Sequence, residues 1–225
     1  MSSRCWTLSP TDFAFLWDDC PRCFYLHVAR GFPRPATAAG ELDARLKSAC
    51  DGRRTETVAP EIPAGVFHVG EHRLDSEPLD VHLPDAIHRC VIRGALHVVV
   101  TLDDGGHAVV DVATRASDAE QMVARGRRLQ AWAYALEHPA PGVAALGPVT
   151  RLGVLAFEPE KFAAEAGGIG ALGGALSWIE VPRDDSRLFG FLAEALSVLE
   201  RPQPPGGTPL CPWCVYRDVS RRTGL

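Results

Sequence analysis

The sequence predicts an α/β protein whose sheet is covered on both faces, and three observations carry this. First, two β-branched runs, Val91–Leu102 and His107–Thr114, flank Asp103-Asp104-Gly105-Gly106. That segment is a hairpin signal, because Gly supplies the positive φ of a tight reversal. The runs are apolar almost throughout rather than alternating, which marks a sheet buried on both sides. Second, Ala119–Glu137 and Asp184–Leu199 are strongly periodic helical segments able to cover such a sheet. Third, two Cys-Pro-x-Cys units, Cys20/Cys23 and Cys211/Cys214, stand near opposite chain ends and could close the fold.

At 225 residues the chain is read as a single domain, 1–225. Its parts are N-terminal helices within 9–52, a hairpin-plus-helix core at 91–137 and a cysteine tail at 202–225. An apolar share of 46% excludes global disorder. A net charge of −5 excludes a uniformly basic nucleic-acid binder, so any such surface is local. Of 23 basic residues only Lys47 and Lys161 are lysines. The N-terminus shows no charged-then-apolar signal pattern and no run is long enough to span a membrane. The expectation is a soluble cytoplasmic protein whose seven cysteines are thiols or metal ligands.

Taken in order, Ser9-Pro10-Thr11-Asp12 opens a helix, with Ser9 as N-cap and Pro10 in the first turn. Phe13, Leu16, Trp17, Cys20, Phe24 and His27 follow at helical spacing, and Pro21 predicts a kink or break. A second helix is expected over Ala38–Gly52, with Leu42, Leu46 and Ala49 inward. Glu41/Arg45 and Asp43/Lys47 read there as solvated pairs. Residues 55–90 are Pro-rich, with His68, His72, His82 and His88, and read as short edge strands and loops. Met122, Leu129, Ala133 and Leu136 stripe the helix Ala119–Glu137. Arg125, Arg127 and Arg128 on it, and Arg115 before it, are either a solvated face or contacts to phosphate. Leu152–Phe157 and Ala175–Val181 read as strands and Gly167–Gly174 as a glycine-rich loop. That loop lacks the Lys-Ser/Thr ending of a phosphate cradle. Residues 202–209 form a linker.

Two Cys-x2-Cys units sharing the same Pro are a specific signal for a four-thiolate centre, either zinc or an iron–sulfur cluster. Trp17, Trp213 and Tyr216 are placed to shield it. Three polar residues stand out within the apolar strands: His97, Asp111 and Thr114. A buried Asp needs a partner, so Asp111 is either a strand-end carboxylate bonded to backbone or a metal or catalytic carboxylate.

Gly94-Ala95-Leu96-His97, Asp111-Val112-Ala113-Thr114 and Gln130-Ala131-Trp132-Ala133-Tyr134 follow one another along strand, strand and helix. This order resembles the RecB-type branch of the PD-(D/E)XK nuclease superfamily. There the first strand carries Gly-x-x-Asp, the next Asp/Glu-x-Lys, and the helix Gln-x-x-x-Tyr. The segment Cys20–Leu26 also resembles that family's first helix, and because the family's first motif sits on an early helix, the resemblance offers Glu41 as an acidic ligand in place of a solvated pair with Arg45. The resemblance implies a restriction-endonuclease-like core, a central mixed sheet flanked by helices, with the ends clasped by the four cysteines. It assigns His97, Asp111, Gln130 and Tyr134 to a remnant active site. His97 stands where the family has Asp, and Ala113 where it has Lys. Members such as the CRISPR adaptation exonucleases hold a [4Fe-4S] cluster on one N-terminal Cys and a C-terminal Cys-x2-Cys-x5-Cys. Cys20, Cys211 and Cys214 match three of those positions, Ser220 stands at the fourth, and Cys23 could supply the missing thiolate.

The functional expectation is a catalytically inactive nuclease-like protein that binds DNA or a partner within a larger nucleic-acid-processing or defence complex, with no membrane role. Two alternatives stand beside it. One is an active DNase, with Mg²⁺ or Mn²⁺ needed only in that case, in which His97 binds Mn²⁺ or another transition metal and Arg115, Lys47 or Arg128 replaces the Lys. The other is a thiolate-metal scaffold protein with no nucleic-acid role.

Overall fold

The computed structural model describes residues 4–13, 20–33, 41–114, 119–164, 170–209 and 211–223. Its centre is β4 (Ile87–Leu102), which pairs with four strands. β1 (Cys5–Leu8) runs parallel to its first half, with Trp6 opposite Cys90, and β3 (Leu79–His82) antiparallel to the same half. β2 (Gly65–Asp75) runs antiparallel to its second half. The expected hairpin then leads into β5 (His107–Thr114), with Gly105 at φ 88 in the turn. β6 (Val149–Ala164) lies parallel to β5, and β7 (Gly170–Glu180) returns antiparallel along β6. The result is a mixed seven-stranded sheet.

Helices cover both faces, as the apolar strands required. On one face lie α1 (Pro21–Arg30), α4 (Ala119–Glu137) and α5 (Asp185–Leu199), packed over Ile92, Leu96, Val99, Val109, Leu152 and Val154. On the other, α2 (Glu41–Cys50) and the turn of α3 (Thr55–Val58) pack over Phe67, Val98, Val100, Val110, Val112 and Leu155. The period of two along β5 sends 108, 110 and 112 to the α2 face and 109 and 113 to the α4 face. α6 (Pro212–Thr223) ends the described chain.

Several expectations are corrected. Ser9 caps the 3-10 turn Pro10–Asp12 through a capping box with Asp12. Of the kink or break expected at Pro21 the structure has the break: Cys20 is extended and Pro21 opens α1, in the first turn, where its missing N–H costs nothing. Residues 14–19, with Trp17, lie outside the described residues. The inward stripe of α2 is Asp43, Leu46, Lys47 and Cys50, while Leu42 and Ala49 are exposed. β2 is long rather than a short edge piece, and β1 has no counterpart in the sequence reading. Gly170–Gly174 of the expected glycine-rich loop belong to β7, in ladder register with β6; 165–169 lie outside the described residues. Among the described residues no helix is long and apolar enough to cross a membrane.

Candidate metal centre

Both Cys-Pro-x-Cys units are built the same way. Cys20 is the N-cap of α1, Pro21 its first residue, and Cys23 sits one turn in. Cys211 precedes α6, Pro212 opens it, and Cys214 follows. Pro suits that position because its fixed φ is pre-organised for a helix. The repeat therefore presents two sulfurs at each of two helix N-termini, where the dipole favours a thiolate. α1 is fixed to the end of α5 by the Tyr25 hydroxyl donating to the Arg201 carbonyl at 3.0 Å, which steers the 202–209 linker back over α1.

All four sulfurs lie within 4.8 Å of one another, and all four residues are buried. Cys20 Sγ is 3.6 Å from Cys214 Sγ, and Cys23 Sγ is 3.6 Å from Cys211 Sγ and 3.8 Å from Cys214 Sγ. The Thr208 N–H donates to Cys20 Sγ at 3.3 Å and Arg217 Nη1 to Cys23 Sγ at 3.7 Å. Gly207 leaves no room for a side chain, since a Cβ there would stand 2.8 Å from Cys214 Sγ. Burial opposes ionisation of Cys20, but hydrogen bonds from Thr208, the Cys23 backbone and the Cys214 thiol bring it down to about 6. Burial and the neighbouring sulfurs push Cys23 up to about 11 and Cys214 upward as well. A cation in their midst removes that conflict, because it neutralises charge that the thiolates otherwise impose on one another. The other three cysteines stand apart. Cys50 and Cys90 are buried with thiols raised by desolvation, Cys90 to about 12, and Cys5 is exposed. Trp213 packs against the core beside the centre, but Tyr216 is 69% exposed and shields nothing.

The residues assigned to a remnant active site are distributed over three places. Asp111 faces α4 with Val109 and Ala113, and accepts from Arg125 Nη1 at 2.7 Å and from Arg128 Nη2. Its ladder neighbour would be His97, but pairing between β4 and β5 stops at Val99 and Val109. His97 is exposed, and its charge bears on His72 of β2 instead. Gln130 is buried and ties α4 to the turn before α5, donating to the Pro182 carbonyl at 2.7 Å and accepting from the Asp184 N–H at 3.1 Å. Tyr134 stacks on His138 and meets Phe189 edge-on. Helical rotation of 100° per residue puts Gln130 and Tyr134 on the side of α4 away from Arg128, so the expected shared pocket does not form. Ala113 is fully buried in the core.

Arg125 and Arg128 are thus engaged by Asp111 and are not a free phosphate-binding pair. Arg127 lies over the Phe191 ring at 4.8 Å and lines an α4–α5 groove of about 560 Å³. Arg115 lies outside the described residues. Glu41 is exposed on α2; the inward acid there is Asp43, which accepts a hydrogen bond from the Thr114 hydroxyl. Asp43 thus differs from the solvated pair with Lys47 that the sequence suggests. The signal that finds it is its spacing of three and seven from Leu46 and Cys50.

No protein-family model matches the chain, and no curated protein matches it. Among solved structures it is similar to the crystal structure of SSO0001, at 13% identity and a TM-score of 0.50. The match covers 97% of this chain and 87% of that one. At that identity the likeness is one of fold, and it extends over nearly the whole chain.

Proposed function

We propose that this chain is a RecB-type PD-(D/E)XK-like protein that does not cleave phosphodiesters and acts by binding nucleic acid, with its ends clasped by a thiolate-bound metal. The observation that carries the reading is the state of Asp111. A carboxylate that serves a hydrolytic Mg²⁺ must offer its oxygens to the ion. Here two guanidinium groups are bonded to one of them. Ala113, where the resemblance asks for Lys, supplies neither a proton nor a charge. The order β4, β5, α4 supports the family reading, since it places the three motifs on strand, strand and helix as the resemblance requires. The relocated-site alternative is less well supported, because Arg128 is committed to Asp111 and His97 lies elsewhere. Cationic surface that could meet a phosphate backbone stands at the exposed Arg221 and Arg222 on the last turn of α6.

The test incubates the intact protein with single- and double-stranded DNA, with Mg²⁺ and with Mn²⁺. Binding that weakens steeply with salt, without cleavage, is expected. Cleavage that disappears in a folded Asp111→Ala protein would overturn the inactive reading. Absence of binding at low salt would leave a metal-clasped scaffold.

A further inference from the structure

The resemblance points to a [4Fe-4S] cluster, and the geometry disagrees. We infer that Cys20, Cys23, Cys211 and Cys214 bind one zinc ion as a closed tetrathiolate site. In a tetrahedron with metal–sulfur bonds of about 2.3 Å, neighbouring sulfurs are roughly 3.8 Å apart. The observed separations are 3.6, 3.6 and 3.8 Å. The full set falls within 4.8 Å, so the four sulfurs already outline the shell of a single ion. A cubane cluster carries each cysteine on a different iron, with bridging sulfides between them, and this spreads the cysteine sulfurs well outside that range. No room for such a core exists inside this shell, and Gly207 closes over Cys214 from outside.

The ligand set agrees. Ser220, at the family's fourth cysteine position, lies six residues beyond Cys214 on the same helix. That puts it about 9 Å further along the axis. Cys23 takes the fourth place instead, in contact with both Cys211 and Cys214. Four thiolates around a divalent ion leave a net negative charge. It faces two helix N-termini, the Thr208 N–H and the Arg217 guanidinium, the outer partners a closed structural site needs. Two Cys-x2-Cys units filling all four positions leave no open site for a substrate, so the ion is structural.

The inference rests on the reading of the cysteines as a metal centre and not on the binding role, and the two fail separately. Protein purified without oxygen from cells supplied with both metals is assayed for zinc, iron and acid-labile sulfide. One zinc per chain, no sulfide and no visible absorbance are expected. Exchange with Co²⁺ should give intense thiolate-to-cobalt charge transfer and the visible bands of a tetrahedral ion. Ser220→Ala should keep full metal content, and Cys23→Ser should lose it or bind with a changed cobalt spectrum. Several irons with matching sulfide would overturn the inference. So would a single iron without sulfide, an octahedral cobalt spectrum, or a metal-free protein. DNA binding measured on the same preparation reports on the functional reading alone.

Discussion

At Asp111 the two-residue period of β5 sets a carboxylate between Val109 and Ala113, facing α4 in the core. Nothing apolar can satisfy it, so its charge is held by Arg125 and Arg128, whose side chains keep 20% and 24% exposure. Removing the carboxylate leaves two guanidinium groups crowded against each other with part of their surface dry. Breaking a buried pair costs about 3–5 kcal/mol, and the partial exposure of both arginines puts Asp111→Ala near the lower end, about 3 kcal/mol. Asp111→Asn keeps an acceptor and should cost less. Urea midpoints decide this, and an Asp111→Ala protein as stable as the parent would remove the structural role. Gly207 is the second position where one atom matters. In Gly207→Ala the new methyl meets Cys214 Sγ, so the loop must lift and the Thr208 N–H must leave Cys20. Metal affinity should fall at least tenfold in a competition titration with a chromophoric chelator, the scale on which outer partners of metal ligands act.

Among the elements, β5, α4 and α5 were legible because each carries a strong local pattern: an unbroken apolar run, or a periodic stripe with a capping acid. α4 matches its expected bounds, and Asp184 caps α5 as its position before the stripe suggests. β2 was not legible. Its centre, Gly70-Glu71-His72-Arg73, is polar because the strand bulges there, shifting register between Val69 and His72. β1 is only four residues and gains its place from β4, far along the chain. The two cysteine pairs were legible as a set because their motif repeats, whereas the separation of Gln130 and Tyr134 from Asp111 was not. Motif order fixes which helix a residue is on, but not how that helix is rotated. The β2 bulge also collects His72, His68 and His97. Burial and those two neighbours hold His72 below its ordinary value of 6.5. A folded value below the unfolded one means that its contribution is fully present above the unfolded pKa. It is lost as pH falls from there toward the folded pKa, since the unfolded chain takes up the proton first. The parent should therefore lose more stability than His72→Gln between about pH 7.5 and pH 5.5. Equal losses, read from thermal midpoints of both proteins, would remove His72 from the account.

The whole molecule is a covered sheet whose two ends meet at one point. Cys20 and Cys214 are 194 positions apart, so the centre closes almost the entire chain into a loop. In small metal-dependent domains such a centre supplies the fold itself. Here two apolar clusters, one on each face of the sheet, already stand between the ends, and a chain of 225 residues buries enough surface to fold on them. Stripping the ion should therefore undo the clasp before the sheet. Outside the centre α6 meets the α1 region through solvent-facing contacts, Arg22 with Asp218 at 3.8 Å and Arg217 over the Phe32 ring, while Val215, Tyr216 and Val219 are exposed and its tether runs through a Pro-rich linker. Without the ion, burial and the neighbouring sulfurs would return Cys23 and Cys214 to thiols, and the helix N-termini would lose charge that they face. The expected sequence on adding a strong chelator, or on acidification that protonates the ligands, is loss of amide protection in residues 211–223 and around Cys20. Protease cuts in the 202–209 linker should follow, while β4, β5 and β6 stay protected. Overall stability should drop by about 4 kcal/mol or more, the linkage expected for a ligand held a thousandfold above its dissociation constant. Cys214→Ser should reproduce the same pattern without chelator. Hydrogen exchange resolved by peptide is the measurement. Uniform loss of protection across the sheet would make the ion part of the folding nucleus of the whole domain. Unchanged protection of α6 would mean that the four sulfurs are gathered by packing and need no ion at all.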